Sequence, residues 1–275
     1  MAVAASVGVG VMMKVSENAS RTRLSVAFFN YCFALIFSAA LWWSAGCPPF
    51  PPSVAMTGVF AGVCWVIALV SIMYSVRVIG VAVSSAVVRI AIVLPMGVSM
   101  LFWGEFPSLL QWVGIGLAIA AVAVMAWGSA VNGRVLDVKR ALMVLGVFAA
   151  SGFAQLSSKL FAQFCAEELK PSWMIVLFAS AILVCGGWMA ASGIRPKALD
   201  VVYGLGVGIP NSLSAFFLVS ALAILPSVVV FPTTSAGGMV ALALIGAVFF
   251  GERPSRTAAA GIVVAVIAVV LVNIG

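Results

Sequence analysis

The sequence predicts an all-α polytopic membrane protein of about ten transmembrane helices, arranged as two inverted five-helix repeats. Three observations predict it. The 275 residues are 64% hydrophobic and only 8% charged, with a mean hydropathy of +1.26, whereas a soluble domain carries roughly 25% charged residues. Too few charges remain to make a water-facing shell, so lipid must solvate much of the surface. Long apolar runs follow one another with short breaks. Two of those breaks are nearly the same sequence.

In lipid every backbone amide must bond within its own segment, so an apolar run of roughly 20 residues is a helix crossing the bilayer. In order, the predicted spans are Ala2–Val15, Leu24–Ala45, Val54–Val76, Val81–Trp103, Leu109–Val131, Lys139–Phe161, Ser172–Ala191, Val201–Leu225, Val228–Phe250 and Thr257–Asn273. The first is short, its uncharged apolar stretch running only from Ala2 to Met13. Gly46-Cys47-Pro48-Pro49-Phe50-Pro51-Pro52 ends the second, Gly104-Glu105-Phe106-Pro107-Ser108 the fourth, Gly193-Ile194-Arg195-Pro196 the seventh and Gly251-Glu252-Arg253-Pro254-Ser255 the ninth. Glycine and proline break helices there for want of a fixed backbone or an N–H.

The repeat is read from those breaks. Gly104-Glu105-x-Pro107-Ser108 with Gly114-Ile115 recurs as Gly251-Glu252-x-Pro254-Ser255 with Gly261-Ile262, every member displaced by 147 positions. Gly58-x-x-x-Gly62 recurs as Gly204-x-x-x-Gly208 at 146, and Ala4-Ala5-Ser6 with Lys14 recurs as Ala149-Ala150-Ser151 with Lys159 at 145. The last match supports the short first span as a helix. Two five-helix units follow, residues 1–131 and 138–275. An odd number of crossings inverts the second unit, and inverted repeats are the architecture of secondary transporters that alternate access around a midplane site.

A span, Gly-Glu-x-Pro-Ser, then an apolar span with an early glycine, all repeated 147 positions later, resembles the drug/metabolite transporter superfamily of the EamA type. The Ser6…Lys14 and Ser151…Lys159 openings resemble that family's repeat starts. The resemblance implies ten helices and export or exchange of metabolites, amino acids or xenobiotics, in the plasma membrane of a bacterium, its inner membrane. One departure stands out: family members often carry Glu-Pro in the fourth helix, where this chain has Leu94-Pro95.

Charge sets orientation. Arg21, Arg23, Arg77, Arg134, Lys139, Arg140, Arg195, Lys197, Arg253 and Arg256 flank the loops of one face, and Lys170 alone lies on the other. The positive-inside rule makes the first face cytoplasmic and places both termini outside, whereas the family resemblance implies cytoplasmic termini. The net charge of +7 is dispersed, with no basic run to track phosphates, so no nucleic-acid partner is expected. The expected partners are the lipid bilayer and a small-molecule substrate, with the chain a monomer or homodimer.

The absence of histidine removes the usual base, pH switch and commonest metal ligand. No catalytic residue, metal or cofactor is expected. Cys32, Cys47, Cys64, Cys165 and Cys185 are scattered without a CxxC pair and read as small buried hydrophobes. The candidate substrate-binding residues are the polar ones inside spans. Arg89 lies near the centre of Val81–Trp103, where an arginine costs about 2.5–3.5 kcal/mol and usually faces a polar cavity. Lys14 and Lys159 are weighed against snorkelling from helix ends. Asn211 and Ser212 beside Pro210, Thr233 and Thr234 beside Pro232, and Gln155 are weighed against simple interhelical bonding. Together they point to a central cavity. No carboxylate lies deep in a span, and a proton-driven cation exporter needs one, so the buried charge favours an anionic substrate such as an amino acid or organic acid. Glu105 and Glu252 read as loop acids that stabilise helix N-termini. The competing readings are a cationic drug exporter, a non-transporting scaffold or receptor subunit, and an intramembrane enzyme for which only Lys159 with Ser157 or Ser158 offers a dyad.

Overall fold

The computed structural model describes residues 23–79, 81–127, 138–249 and 256–274. The predicted first span, with Lys14, lies outside the described residues, as does Glu252. Among the described residues there are helices and turns but no strand. The helices are α1 Arg23–Ser44, α2 Pro52–Ile79, α3 Val81–Ile90, α4 Val93–Trp103, α5 Leu109–Trp127, α6 Val138–Phe164, α7 Lys170–Ala191, α8 Ala198–Ile224, α9 Ser227–Phe249 and α10 Arg256–Ile274. A one-turn 3-10 helix, Glu167–Leu169, joins α6 to α7. Five described segments are each long and apolar enough to cross a bilayer by themselves, and shorter apolar stretches occupy Val87–Trp103, Leu109–Ala121 and Ala259–Ile274. The chain is an all-α polytopic membrane protein, as its composition requires.

The predicted spans begin and end within a few residues of these helices, with one difference. The fourth span is two helices, interrupted by a turn at Ala91-Ile92. Pro95 has no N–H to bond the carbonyl of Ala91. That oxygen accepts instead from the Leu94 N–H at 3.1 Å, while Met96 N–H bonds the Ile92 carbonyl at 3.2 Å.

The chain forms two compact units, each drawing on both predicted repeats. The first comprises Met1–Val70 with Ser157–Ile224, the second Ser71–Leu156 with Leu225–Gly275. In the first unit α1 packs on α7 and α8 around a core of Trp173, Phe178, Phe161, Met174 and Leu177, each at most 1% exposed. The two Gly-x-x-x-Gly motifs lie at close helix contacts. A Cβ at Gly62 of α2 would lie 2.9 Å from the Ala181 amide nitrogen and against Leu177 and Ser180 of α7. A Cβ at Gly208 of α8 would lie 2.8 Å from the Asn30 carbonyl oxygen and against Phe33 and Ala34 of α1. The neighbours of Gly208 are those of Gly62 shifted back by 147 positions. Where copy one touches copy two and copy two returns the same contact, the pair is isologous, the signature of a two-fold exchange.

In the second unit α5 lies against α10. Ala118, Ala121, Ala236, Ala265 and Ala268 form its buried cluster. Ala118 and Ala265, like Ala121 and Ala268, are 147 positions apart, so the same reciprocity recurs. Small residues at these seams allow van der Waals packing where the hydrophobic effect gives no drive between helices in lipid.

Candidate functional site

In the second unit Arg89 sits in the last turn of α3, just before the break. The negative end of a helix suits a cation, and the interrupted backbone leaves the guanidinium beside α9. Arg89 Nη1 donates to the carbonyl oxygen of Ser235 at 2.9 Å, and Ser235 Oγ returns a long 3.4 Å bond to the carbonyl of Arg89. Arg89 and Ser235 are 146 positions apart, the offset of the two Gly-x-x-x-Gly motifs. Their mutual bonds therefore repeat, at a polar position, the exchange seen at the glycines. Arg89 is half-buried, and no carboxylate pairs with it among the described residues. Its planar guanidinium carries five donors, of which the Ser235 carbonyl takes one.

Gly152 of α6 lies against the break: a Cβ there would be 2.8 Å from Leu94 Cβ and 3.2 Å from the Ala91 carbonyl. One turn on, Gln155 Nε2 reaches the Ser151 carbonyl at 3.4 Å, a bond within its own helix. On α9 the Thr234 hydroxyl bonds the Val230 carbonyl at 2.8 Å, which keeps it on its own helix. Thr233 Oγ1 accepts from Asn273 Nδ2 of α10 at 2.9 Å. Of the predicted residues in this unit, Arg89 and Thr233 therefore bond across helices, and Gln155 and Thr234 bond within one.

The first unit holds the remaining candidates. Asn211 follows Pro210 in α8 and donates from Nδ2 to Asn30 Oδ1 of α1 at 3.2 Å. Ser212 is fully buried and bonds the Gly208 carbonyl at 2.8 Å. Lys159 is buried at 3% exposure and has an interaction partner, so its side chain does not reach the surface. Among the described residues, Ser158 Oγ and Trp173 Nε1 are buried without a hydrogen-bond partner.

Several polar residues escaped the sequence. Asn30 is an isolated amide in an apolar run and gained meaning only when α8 brought Asn211 to it. Ser235 contributes its backbone carbonyl, which no side-chain identity encodes. Lys170, read as a lone loop cation, is 6% exposed, lies in a cleft with Glu167 and Phe216, and bonds the Ser220 hydroxyl. Glu105 has the expected capping role at an unexpected place. Its Oε2 accepts from the Ser227 backbone N–H at 2.9 Å and from the Ser227 hydroxyl, at the start of α9. Its own helix α5 is closed by a reciprocal pair, Gln111 Oε1 accepting from the Ser108 N–H at 3.0 Å and Ser108 Oγ from the Gln111 N–H at 3.2 Å. That Ser-x-x-Gln box satisfies two orphan amides of α5 and leaves Glu105 to serve α9.

Comparison with known proteins supports the resemblance read from the repeated motif. A protein of known crystal structure superposes with a TM-score of 0.79 over 99% of this chain and 94% of its own, at 14% identity. Identity that low shows a shared fold and nothing of function. No curated protein matches the chain in sequence. Residues 1–127 match the EamA-like transporter family, whose members are membrane transporters of small molecules. Over residues 1–127 the chain is thus similar to the EamA-like transporters, and the Gly-Glu-x-Pro-Ser motif of that stretch recurs 147 positions on.

Proposed function

We propose that the chain is a secondary transporter, an exporter or exchanger, of a small anionic metabolite of the amino-acid or organic-acid class. It works by alternating access of its two repeats, with Arg89 as the counter-charge for the substrate. The observation that carries this reading is the state of Arg89, half-buried beside a broken helix, held by one backbone carbonyl and paired with no carboxylate among the described residues. An intramembrane arginine costs several kcal/mol unless it meets water or an anion, and its free donors match a carboxylate in bidentate fashion. Proton-coupled export of cations would instead call for an embedded acid. Among the described residues the acid buried in an α-helix, Asp200, sits in the first turn of α8, where it accepts from the Lys197 N–H at 2.9 Å.

The test is counterflow in proteoliposomes against labelled amino acids, organic acids, sugar phosphates and cationic drugs. Arg89→Gln removes a charge-assisted contact of about 1.5–3 kcal/mol, roughly 10- to 100-fold in anion flux, with the thermal midpoint nearly unchanged. Arg89→Lys retains part of the flux because it keeps the charge and loses the fork. Undiminished anion flux in Arg89→Gln, or flux of cations alone, would overturn the reading.

A further inference from the structure

We infer that the cleft around Lys170 in the first unit is a second binding site, for small monocarboxylates with an apolar body, and that Glu167 occupies it as a tethered competitor. The inference rests on the reading of the chain as a carrier of small anions, and it concerns residues remote in sequence from Arg89.

The cleft has a volume of about 370 Å³ and is lined by Leu41 and Ala45 at the end of α1, Glu167 and Glu168 of the 3-10 turn, Lys170 of α7 and Phe216 of α8. Lys170 is its fixed charge. At 6% exposure it lies below the surface, and its ammonium is fully engaged. One N–H goes to Glu167 Oε1 at 3.0 Å and one to Ser220 Oγ at 2.6 Å. The nitrogen also stands 4.2 Å from the centre of the Phe216 ring. Ser220 is itself fixed, since its hydroxyl donates to the Phe216 carbonyl at 2.8 Å.

The three contacts are unequal. Ser220 and Phe216 belong to α8 and do not move without it. The Glu167 side chain is 47% exposed and stands on a single 3-10 turn of three residues. Half in water and carried on one short turn, the Glu167 carboxylate is the contact that another carboxylate can replace. Lys170 cannot follow it outward, and a buried ammonium deprived of its anion is costly. The arrangement therefore holds a place for one carboxylate and fills it with a side chain.

The walls narrow the ligand. Leu41, Ala45 and the ring of Phe216 accept an apolar body. A displaced Glu167 remains nearby and Glu168 lines the same cleft, so a dianion meets two like charges around one cation. Monocarboxylates are favoured over dicarboxylates and over inorganic phosphate.

The test is calorimetric titration of the detergent-purified full chain with phenylacetate, with succinate and inorganic phosphate as anion controls and phenethylamine as the cation of matching shape. The cleft is measured in the Arg89→Gln background, where the other proposed anion site is silent. Adding Glu167→Gln removes the competitor and tightens phenylacetate binding at least 5-fold. Adding Lys170→Met abolishes it. Succinate and phosphate bind at least 10-fold more weakly than phenylacetate. The inference falls if Glu167→Gln weakens binding or leaves it unchanged, if phenethylamine binds in place of phenylacetate, or if no variant binds phenylacetate. Glu167→Gln keeps the test decisive should Lys170→Met fail to fold, because a half-exposed residue is replaced by its near-isostere. Unaltered anion flux in Arg89→Gln would sink the transport reading by itself, while this titration reports on the cleft alone.

Discussion

At the scale of single residues, polar groups in this chain earn their positions by what they bond across helices. Glu105 is the clearest case, because the sequence reads it as an acid that caps a helix and the geometry shows which helix it caps. Its carboxylate takes both the amide and the hydroxyl of Ser227, satisfying an orphan donor at the positive end of α9. Glu105→Gln keeps one acceptor and loses the charge. Expected is a destabilisation of about 0.5–2 kcal/mol, the range of a lost cap, seen as a lowered thermal midpoint with substrate affinity unchanged. A large loss of affinity at constant stability would instead make Glu105 a ligand. Arg89 was legible in the sequence because a cation within an apolar run is costly wherever it falls. Asn30 was not legible: one amide in an apolar span has no periodicity, and its partner Asn211 is 181 positions away. The burial of Lys170 was not legible for a related reason. Its burial comes from Ser220 and Phe216, on a helix the sequence does not place beside it.

At the scale of elements, the apolar runs announced the helices because nothing else satisfies a backbone in lipid, and observed ends fall near the predicted ones. The broken fourth span did not announce itself. Pro95 lies in continuous apolar sequence, and the exit from helix occurs three to four residues earlier, at Ala91-Ile92, where only the missing N–H marks the cause. The Gly-x-x-x-Gly motifs, by contrast, were recognisable as packing motifs, and the structure shows which surfaces they meet. Their reciprocity gives a quantitative expectation. Gly62→Ala drives a methyl toward the Ala181 amide of α7, and Gly208→Ala toward the Asn30 carbonyl of α1. Backbone cannot yield as a side-chain tip does, so each costs about 1–3 kcal/mol, and the two costs are similar because the contacts are counterparts. Gly116→Ala of α5, with nothing within 4 Å, gains the helix preference of alanine, about 0.5–1 kcal/mol. Thermal unfolding of the three variants tests this: loss at Gly62 with none at Gly208 would break the equivalence of the repeats.

At the scale of the whole molecule, the sequence repeats and the compact units are different divisions of one chain. A repeat is a stretch of sequence, 1–131 or 138–275, while each compact unit joins a segment from either side of that boundary. The helices show why. The partners of α1, namely α7 and α8, lie in the second repeat, and so does α10, the partner of α5. Residues 1–131 alone would thus lose the neighbours of Gly62 on α7 and those of Gly114, whose Cβ would meet Val272 and Ala268 of α10. In lipid the penalty is lost packing and unsatisfied polar groups rather than exposure of apolar surface. Asn30, with its bond to Asn211, is one such group. Either half expressed alone should therefore fail to accumulate as a monodisperse monomer. Co-expression of 1–131 with 138–275 should restore a complex that co-purifies, resists protease and has a thermal midpoint near that of the intact chain. The covalent link supplies only local concentration, and the contacts lie between the halves. Gly208→Ala in the second half should then weaken co-purification, since α8 meets α1 of the first half there. A half that purifies by itself as a folded monomer, or a pair indifferent to Gly208→Ala, would show that each repeat folds on its own and that the interleaved units are not what holds the molecule together.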